Sequence, residues 1–226
     1  CINQPSAFLN SMNTLQVWDA FDVIGIDLTT YATAPEGKYM YQTYDTVSGT
    51  CLTSAEGGFN LAEIIALVDA TGSQYGEKPI WITGMAWSDQ DLADIASERG
   101  TLTDVVRSDF LARASVMLLG RHNVEKIYWQ YADSDQAGDA SFGIFSQQVL
   151  KNLSASLQGL RSAVDASDVL NGYYQYRLTI SGMVNIFVWR GYGGDEFLPF
   201  SLKNVSGYQL EAFSLDADSV KNGSGM

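Results

Sequence analysis

The chain has 226 residues, of which 46% are hydrophobic and 17% charged, and its formal net charge at pH 7 is -13. This composition supports a buried core and differs from that of disordered chains. The acidic balance opposes binding to phosphate backbones, so nucleic acid is not an expected partner. No run of about 18 or more apolar residues occurs, so no transmembrane helix is expected.

The chain begins at Cys1, with neither an initiator methionine nor a signal peptide. Three explanations of this start stay open: a fragment of a longer protein, a mature chain after signal removal, or an N-terminal lipoprotein cysteine. Cys1 and Cys51 form either one disulfide or two free thiols. N-glycosylation sequons at Asn152, Asn204 and Asn222 matter only in a source that glycosylates.

The N-terminal part of the chain alternates between strand-like and helix-like segments. A compact β-branched run at 21–27 predicts a strand buried on both faces. A long loop is predicted at 28–59, and its tyrosines either line a glycan groove or pack the loop down. Asn60 then predicts the start of a helix, with Glu63 at the reciprocal capping position.

Two further strand–helix units are predicted downstream. The second strand is expected at 79–83, and a polar loop leads from it to a helix at 102–119. The third strand is expected at 125–131, followed by a third helix at 146–164. Three such units in series predict an α/β fold with parallel strands and right-handed crossovers.

Beyond about residue 166 the apolar residues recur with a period of two, which is typical of strands. Alternation at 174–178, a turn at Ser181–Gly182 and alternation at 184–188 predict an antiparallel hairpin. Further strand-like pieces occur at 197–202 and 208–213. The sequence therefore predicts a small antiparallel β module.

The predicted parallel strands leave both edges of their sheet unpaired. The simplest completion is a set of further strands upstream, so the chain is expected to be the C-terminal part of a longer protein. The predicted domains are part of a barrel at 1–165 and the β module at 166–226. Upstream barrel strands or a partner are expected to cover the open edges.

Three motifs carry a resemblance to a known family. FDVIGIDLTTY at 21–31, YGEKPIWITGMAWS at 75–88 and VEKIYWQYADSD at 124–135 occur in this order, and FGIF follows at 142–145. They resemble strands six, seven and eight of a (β/α)8-barrel glycoside hydrolase of the large retaining clan. The resemblance implies a partial TIM barrel, an oligo- or polysaccharide partner, no cofactor, and an extracellular or cell-surface location.

The family resemblance also implies that the reactive group is missing. Retaining enzymes use two carboxylic acids about 5 Å apart, one as nucleophile and one as acid/base. The nucleophile position corresponds to Gly84, which has no side chain, and the acid/base strand lies outside the chain. The histidine and the aromatic residue expected at the end of strand six are replaced by Asp27 and Thr29. The resemblance therefore implies that the mouth of the barrel binds carbohydrate and does not cleave it.

Five residues are expected to bind the carbohydrate: Trp129, Asp27, Trp87, Tyr31 and Asp133. Trp129 matches the family's strand-eight tryptophan, which floors a sugar subsite by stacking, and its alternative is a core position under the third helix. Asp27 either binds sugar hydroxyls or caps a loop. The same resemblance places Trp87 and Tyr31 on loops at the mouth. Their alternative is a packing role.

Other chemistries are disfavoured. His122 is the only histidine and precedes the third strand, at the bottom of a barrel, which disfavours a Ser-His-Asp triad. Asp133 and Asp135 occur in a calcium-like run whose ligand set is broken, so no metal is expected. Trp81 is expected to be structural. The glycine-rich stretch at 191–194 follows a strand and predicts a hairpin loop, not a phosphate cradle.

Three functions therefore stay open from the sequence. The first is a glycoside hydrolase relative that binds carbohydrate without cleaving it. The second is a structural or surface-assembly protein on a glycosidase-like scaffold. The third is a fragment of an active glycosidase that uses a displaced carboxylate, for which Asp27 and Asp133 are the local candidates.

Overall fold

A computed structural model describes residues 5–29, 32–38, 42–45, 47–48, 50–53, 59–121, 123–130, 142–168, 173–190, 211–213 and 220–222. Its helices are α1 (Pro5–Thr14), α2 (Leu61–Tyr75), α3 (Asp89–Arg99), α4 (Thr103–Leu119) and α5 (Ile144–Ser156). Its strands are β1 (Ile24–Thr29), β2 (Gln42–Asp45), β3 (Thr50–Thr53), β4 (Ile80–Ala86), β5 (Val124–Trp129), β6 (Leu160–Asp165), β7 (Tyr173–Ile180), β8 (Met183–Arg190), β9 (Glu211–Phe213) and β10 (Val220–Asn222).

The three predicted parallel strands form one sheet in the order β1-β4-β5. β4 lies in the centre and pairs in parallel with both neighbours. Ile80, Ile82 and Met85 of this strand are fully buried, which is typical of a central strand under crossover helices. The mixed α/β class and the parallel pairing expected from the sequence are confirmed.

Two helices begin with a capping box. Asn60 and Glu63 exchange side-chain-to-backbone hydrogen bonds of 2.8 and 2.9 Å at the start of α2, as predicted. Ser88 and Asp91 do the same at the start of α3. The predicted polar loop after β4 is therefore wrong over Asp89–Arg99. This helix is mostly polar and buries only a narrow apolar strip, so its hydrophobic period is weak.

The predicted third helix is too long. α5 ends at Ser156, Gly159 has a φ of +82°, and the chain continues as β6. A positive φ is readily adopted by glycine and ends the helical path. Leu160 and Val164 are spaced by four, which fits a helix, yet pairing with β7 places them in a strand.

The antiparallel sheet has the order β6-β7-β8. β7 and β8 are joined by Ser181 and Gly182, whose φ angles are 51° and 85°. Positive φ at both central residues is the conformation of the two-residue turns that match the twist of a hairpin. The predicted hairpin is confirmed. The predicted strand at 197–202 lies outside the described residues, and 211–213 forms β9, paired with β10.

The long segment predicted as a loop at 28–59 contains an additional hairpin, in which β2 pairs with β3. One hydrophobic core includes residues of both three-stranded sheets, since Tyr176 and Leu178 belong to the same cluster as Ile80 and Phe110. No described helix is long and apolar enough to cross a lipid bilayer.

Candidate functional site

The two faces of the parallel sheet differ in exposure. Ile24, Ile80 and Val124 are buried, on the face that packs against the helices. Asp27, Thr83, Tyr128 and Gln130 are exposed, on the face that stays open within the described ranges. Ligands of parallel α/β sheets bind beside the carboxyl ends of the strands, so the candidate site lies where this open face reaches those ends.

A β-bulge in β4 changes the direction of one residue. Ile26 pairs with Ile82, but Asp27 pairs with Gly84, so Thr83 is the extra residue. A bulge re-aims side chains locally. A Cβ on Gly25 would meet Thr83 Cγ2 at 3.2 Å. Thr83 and Gly84 therefore lie towards the same side of the sheet, Thr83 exposed and Gly84 buried.

Gly84 lies between two polar side chains. A Cβ built on it would be 3.0 Å from Asp27 Oδ2 and 3.2 Å from Gln130 Cδ, and still closer to Gln130 Nε2. The backbone N–H of Gln130 donates to Met85 O at 3.0 Å, which holds Gln130 beside the end of β4. Three adjacent strand ends thus present a carboxylate, a glycine and an amide, named here the Asp27–Gly84–Gln130 site.

The crowding at Gly84 comes mainly from the end of a flexible, exposed side chain. We expect Gly84→Ala to change the free energy of unfolding by less than about 1 kcal/mol, because Gln130 can swing into solvent. Urea denaturation at pH 7 measures this change.

Gly120→Ala is the matched control. Its Cβ would lie 2.6 Å from the backbone oxygen of Val116 and 2.7 Å from Cδ1 of the buried Tyr176. Neither atom can move away cheaply, so a loss of about 2 kcal/mol or more is expected. Equal losses for the two variants would show that the Gln130 side chain cannot move away from Gly84.

Two tryptophans expected at the mouth lie on the helix-covered side of the sheet: Trp87 is part of the core, and the partly buried Trp129 packs against it. Trp87 is fully buried, donates from Nε1 to Thr33 O at 2.8 Å, and packs edge-on against Phe110. It therefore offers no ring face to a sugar. Trp129 pairs with the buried Met85, so the two share the helix-covered face. Its ring lies 6.4 Å from that of Trp87, so it packs beside a core residue.

Trp81, expected to be structural, is the half-exposed tryptophan of the open face. Lys126 Nζ lies 4.0 Å from the centre of its ring, its Nε1 donates to Glu125 Oε2 at 3.3 Å, and Tyr128 is its aromatic neighbour. Side chains alternate between the two faces of a strand, so Trp81 is expected on the face opposite to that of the buried Ile80.

The remaining predicted residues, Tyr31 and Asp133, lie outside the described residues, as does His122.

Arg107 fixes the chain just after β4. Its side chain is 1% exposed, and its Nε donates to Trp87 O at 2.7 Å. Its guanidinium also pairs with Asp89 and, at 3.5 Å, with Asp104. Asp104 in turn accepts from the backbone N–H of Gly143 at the start of α5. This network holds the carboxyl end of β4 in place, and sequence analysis did not anticipate it.

Glu36 is a buried carboxylate that sequence analysis also missed. Its side chain is 4% exposed and accepts two hydrogen bonds, of 2.8 and 3.0 Å, from Nη1 of Arg113, and a third from Nε1 of Trp189. Burial raises the pKa of the Glu36 carboxyl above its ordinary 4.5, and Arg113 opposes this without cancelling it. The stability linked to this group is thus greatest below pH 4.5 and is lost as pH rises through the raised pKa.

Comparisons with known proteins add no family. No protein-family model matches the chain, and no curated protein or solved structure matches it. The resemblance to retaining glycoside hydrolases therefore depends on the sequence motifs alone. Within the described part of the chain, no group of three or more His, Cys, Asp or Glu residues could hold a metal ion.

Proposed function

We propose that this chain binds carbohydrate at the Asp27–Gly84–Gln130 site and does not cleave it by double displacement. We further propose that its parallel sheet is part of a (β/α)8 barrel, with this site at the mouth. The observation that carries the proposal is the position of Gly84, whose missing side chain would point between Asp27 and Gln130.

The chemistry of the site suits sugar hydroxyls. The Asp27 carboxylate accepts hydrogen bonds at two oxygens, and the Gln130 amide both donates and accepts. A hydroxyl group likewise donates and accepts, so one pyranose ring can contact both side chains. Hydrogen bonds to an ionised acceptor are the stronger ones, which makes Asp27 the main expected contributor to affinity.

The same geometry argues against double displacement. That mechanism needs two carboxyl groups about 5 Å apart. The three atoms nearest to a Cβ on Gly84 belong to Asp27 and Gln130, and Asp27 alone contributes a carboxylate. One carboxylate cannot act as nucleophile and as acid/base in the same step. An extracellular or cell-surface location accompanies this proposal, since the partner is a glycan.

We expect Asp27→Asn to weaken oligosaccharide binding by about tenfold, because it exchanges charged hydrogen bonds for neutral ones. Isothermal titration calorimetry of the full chain at pH 7, with a panel of neutral gluco-, manno- and galacto-oligosaccharides, measures the affinity.

Asp22→Asn is the matched control. Asp22 is exposed, like Asp27, but precedes β1 at the opposite end of the strand, so its replacement should leave the affinity within twofold. The proposal fails if the wild-type chain binds no member of the panel, or if both variants lose affinity equally. Turnover of aryl glycosides by this chain would contradict the proposed lack of cleavage.

A structural or surface-assembly role is the second candidate. The sheet order leaves the outer edges of β1 and β5 without a strand partner in the described part of the chain. Unpaired edges are templates for further strands, either upstream strands of a longer chain or those of a partner. This role would be favoured if sedimentation shows concentration-dependent assembly and the calorimetric titration shows no binding of oligosaccharides.

A further inference from the structure

A buried segment connects the two sheets. Residues 32–38, named here the strap, follow β1, which carries Asp27, and residues 34–36 of the strap are buried. The backbone N–H of Gly37 donates to Ala34 O at 2.8 Å, which makes a hydrogen-bonded turn at its centre. Burial of a connecting segment requires such pairing, because its backbone polar groups are removed from water.

One attachment of the strap lies in the core, next to the strand end that carries the candidate site. Thr33 O accepts the hydrogen bond from Nε1 of Trp87, and Trp87 follows the end of β4, three positions after Gly84. Trp87 is also held at its own backbone oxygen by Arg107. The strap therefore touches the same strand end that positions Gly84.

The other attachment lies on the antiparallel sheet. Glu36 accepts from Arg113 of α4 and from Nε1 of Trp189 on β8. The Trp189 ring is stacked on Tyr174 and Tyr176 of β7, at centroid distances of 5.7 and 5.5 Å with nearly parallel planes. The indole that holds the strap is thus part of an ordered aromatic row.

We infer that the strap couples the antiparallel sheet to the Asp27–Gly84–Gln130 site, so that loss of the Trp189–Glu36 contact loosens the strap and lowers ligand affinity. Glu36 is desolvated, and a buried acceptor that loses a donor favours conformations that restore its hydration. Only residues 30 and 31 separate the strap from β1 in the sequence, so we expect a change in the strap to reach Asp27 as well. The affinity part of this inference depends on the proposed function, whereas the coupling itself does not.

Trp189→Phe tests the coupling, because it keeps a stacked ring and removes the indole N–H. Hydrogen exchange of the full chain is followed at the Gly37 amide and at the indole N–H of Trp87. Both are expected to exchange about tenfold faster than in the wild type, while the amide of Leu178 in β7 stays unchanged. Trp189→Leu, whose side chain has no hydrogen-bond donor, is a second variant and should behave in the same way.

Tyr173→Phe is the matched control, since it removes a hydrogen bond between Tyr173 and Gln175 within the same sheet and should alter neither probe. The coupling is overturned if the exchange rates at Gly37 and Trp87 rise threefold or less. It is also overturned if the exchange rate at Leu178 rises equally, because this would indicate global loosening. Calorimetry with the oligosaccharide panel then reports the effect on affinity. Absence of binding by the wild type refutes the proposed function and leaves the exchange result as the test of the strap.

Discussion

Replacing Arg113 by methionine is expected to lower the free energy of unfolding by about 3–5 kcal/mol. Both side chains of the Arg113–Glu36 pair are almost fully buried, at 7% and 4% exposure. Removal of the guanidinium leaves the Glu36 carboxyl group in a desolvated position without its cation, where the Trp189 indole and a backbone N–H still donate to it. Methionine keeps the apolar stem, so the loss reports mainly the missing partner of Glu36, with a smaller part from the more exposed Arg113–Asp109 pair. Urea denaturation at pH 7 measures it.

Arg99→Met is the control for this prediction. Arg99 is 35% exposed and pairs with Asp109 at 3.2 Å, so water screens the pair and its loss should cost less than about 1 kcal/mol. Adding Glu36→Gln to Arg113→Met should recover much of the lost stability, because it removes the buried charge. A loss for Arg113→Met no larger than that for Arg99→Met would show that Glu36 is solvated.

Replacing Trp87 by alanine is expected to cost about 3–5 kcal/mol, the usual result of truncating a large buried aromatic side chain. Trp87 is fully buried and packs against Phe110 and Trp129. Trp87→Phe keeps most of this packing and loses only the hydrogen bond to Thr33, so it should cost about 1–2 kcal/mol. Thermal and urea denaturation give both values.

Trp81→Ala is the matched comparison, because Trp81 lies on the open face of β4 whereas Trp87, just after this strand, packs into the core. Trp81 is half-exposed and gains mainly from Lys126 and Glu125 at the surface, so its loss should cost below about 2 kcal/mol. Equal losses for Trp81 and Trp87 would mean that the open face is covered. The pair thus tests the assignment of faces on which the candidate site depends.

Local patterns predicted the elements that have a strong local cause. The start of α2 follows from Asn60 and Glu63, because both partners of its cap lie within one turn. The β7–β8 hairpin follows from alternation and the Ser181–Gly182 turn. The end of α5 did not follow, because Leu160 and Val164 fit a helix and only pairing with β7 decides the strand.

The candidate site was predicted in part. Asp27 and Gly84 were identified from the motifs, and the structure brings them together at neighbouring strand ends. Gln130 was missed, because nothing in its local sequence distinguishes it from other polar residues after a strand. Trp87 was assigned to the mouth from its position in a motif, while its packing against Phe110 of α4 places it in the core.

The sequence by itself determined the α/β class, the parallel direction of β1, β4 and β5, and the absence of a side chain at position 84. These follow from hydrophobic period and residue identity, which act over a few residues. The tertiary structure alone decided the directions of Gly84 and Trp87, and the burial of Glu36. A one-residue bulge reverses the faces of all that follows it in a strand, and the Glu36 contacts join segments 77 and 153 residues apart.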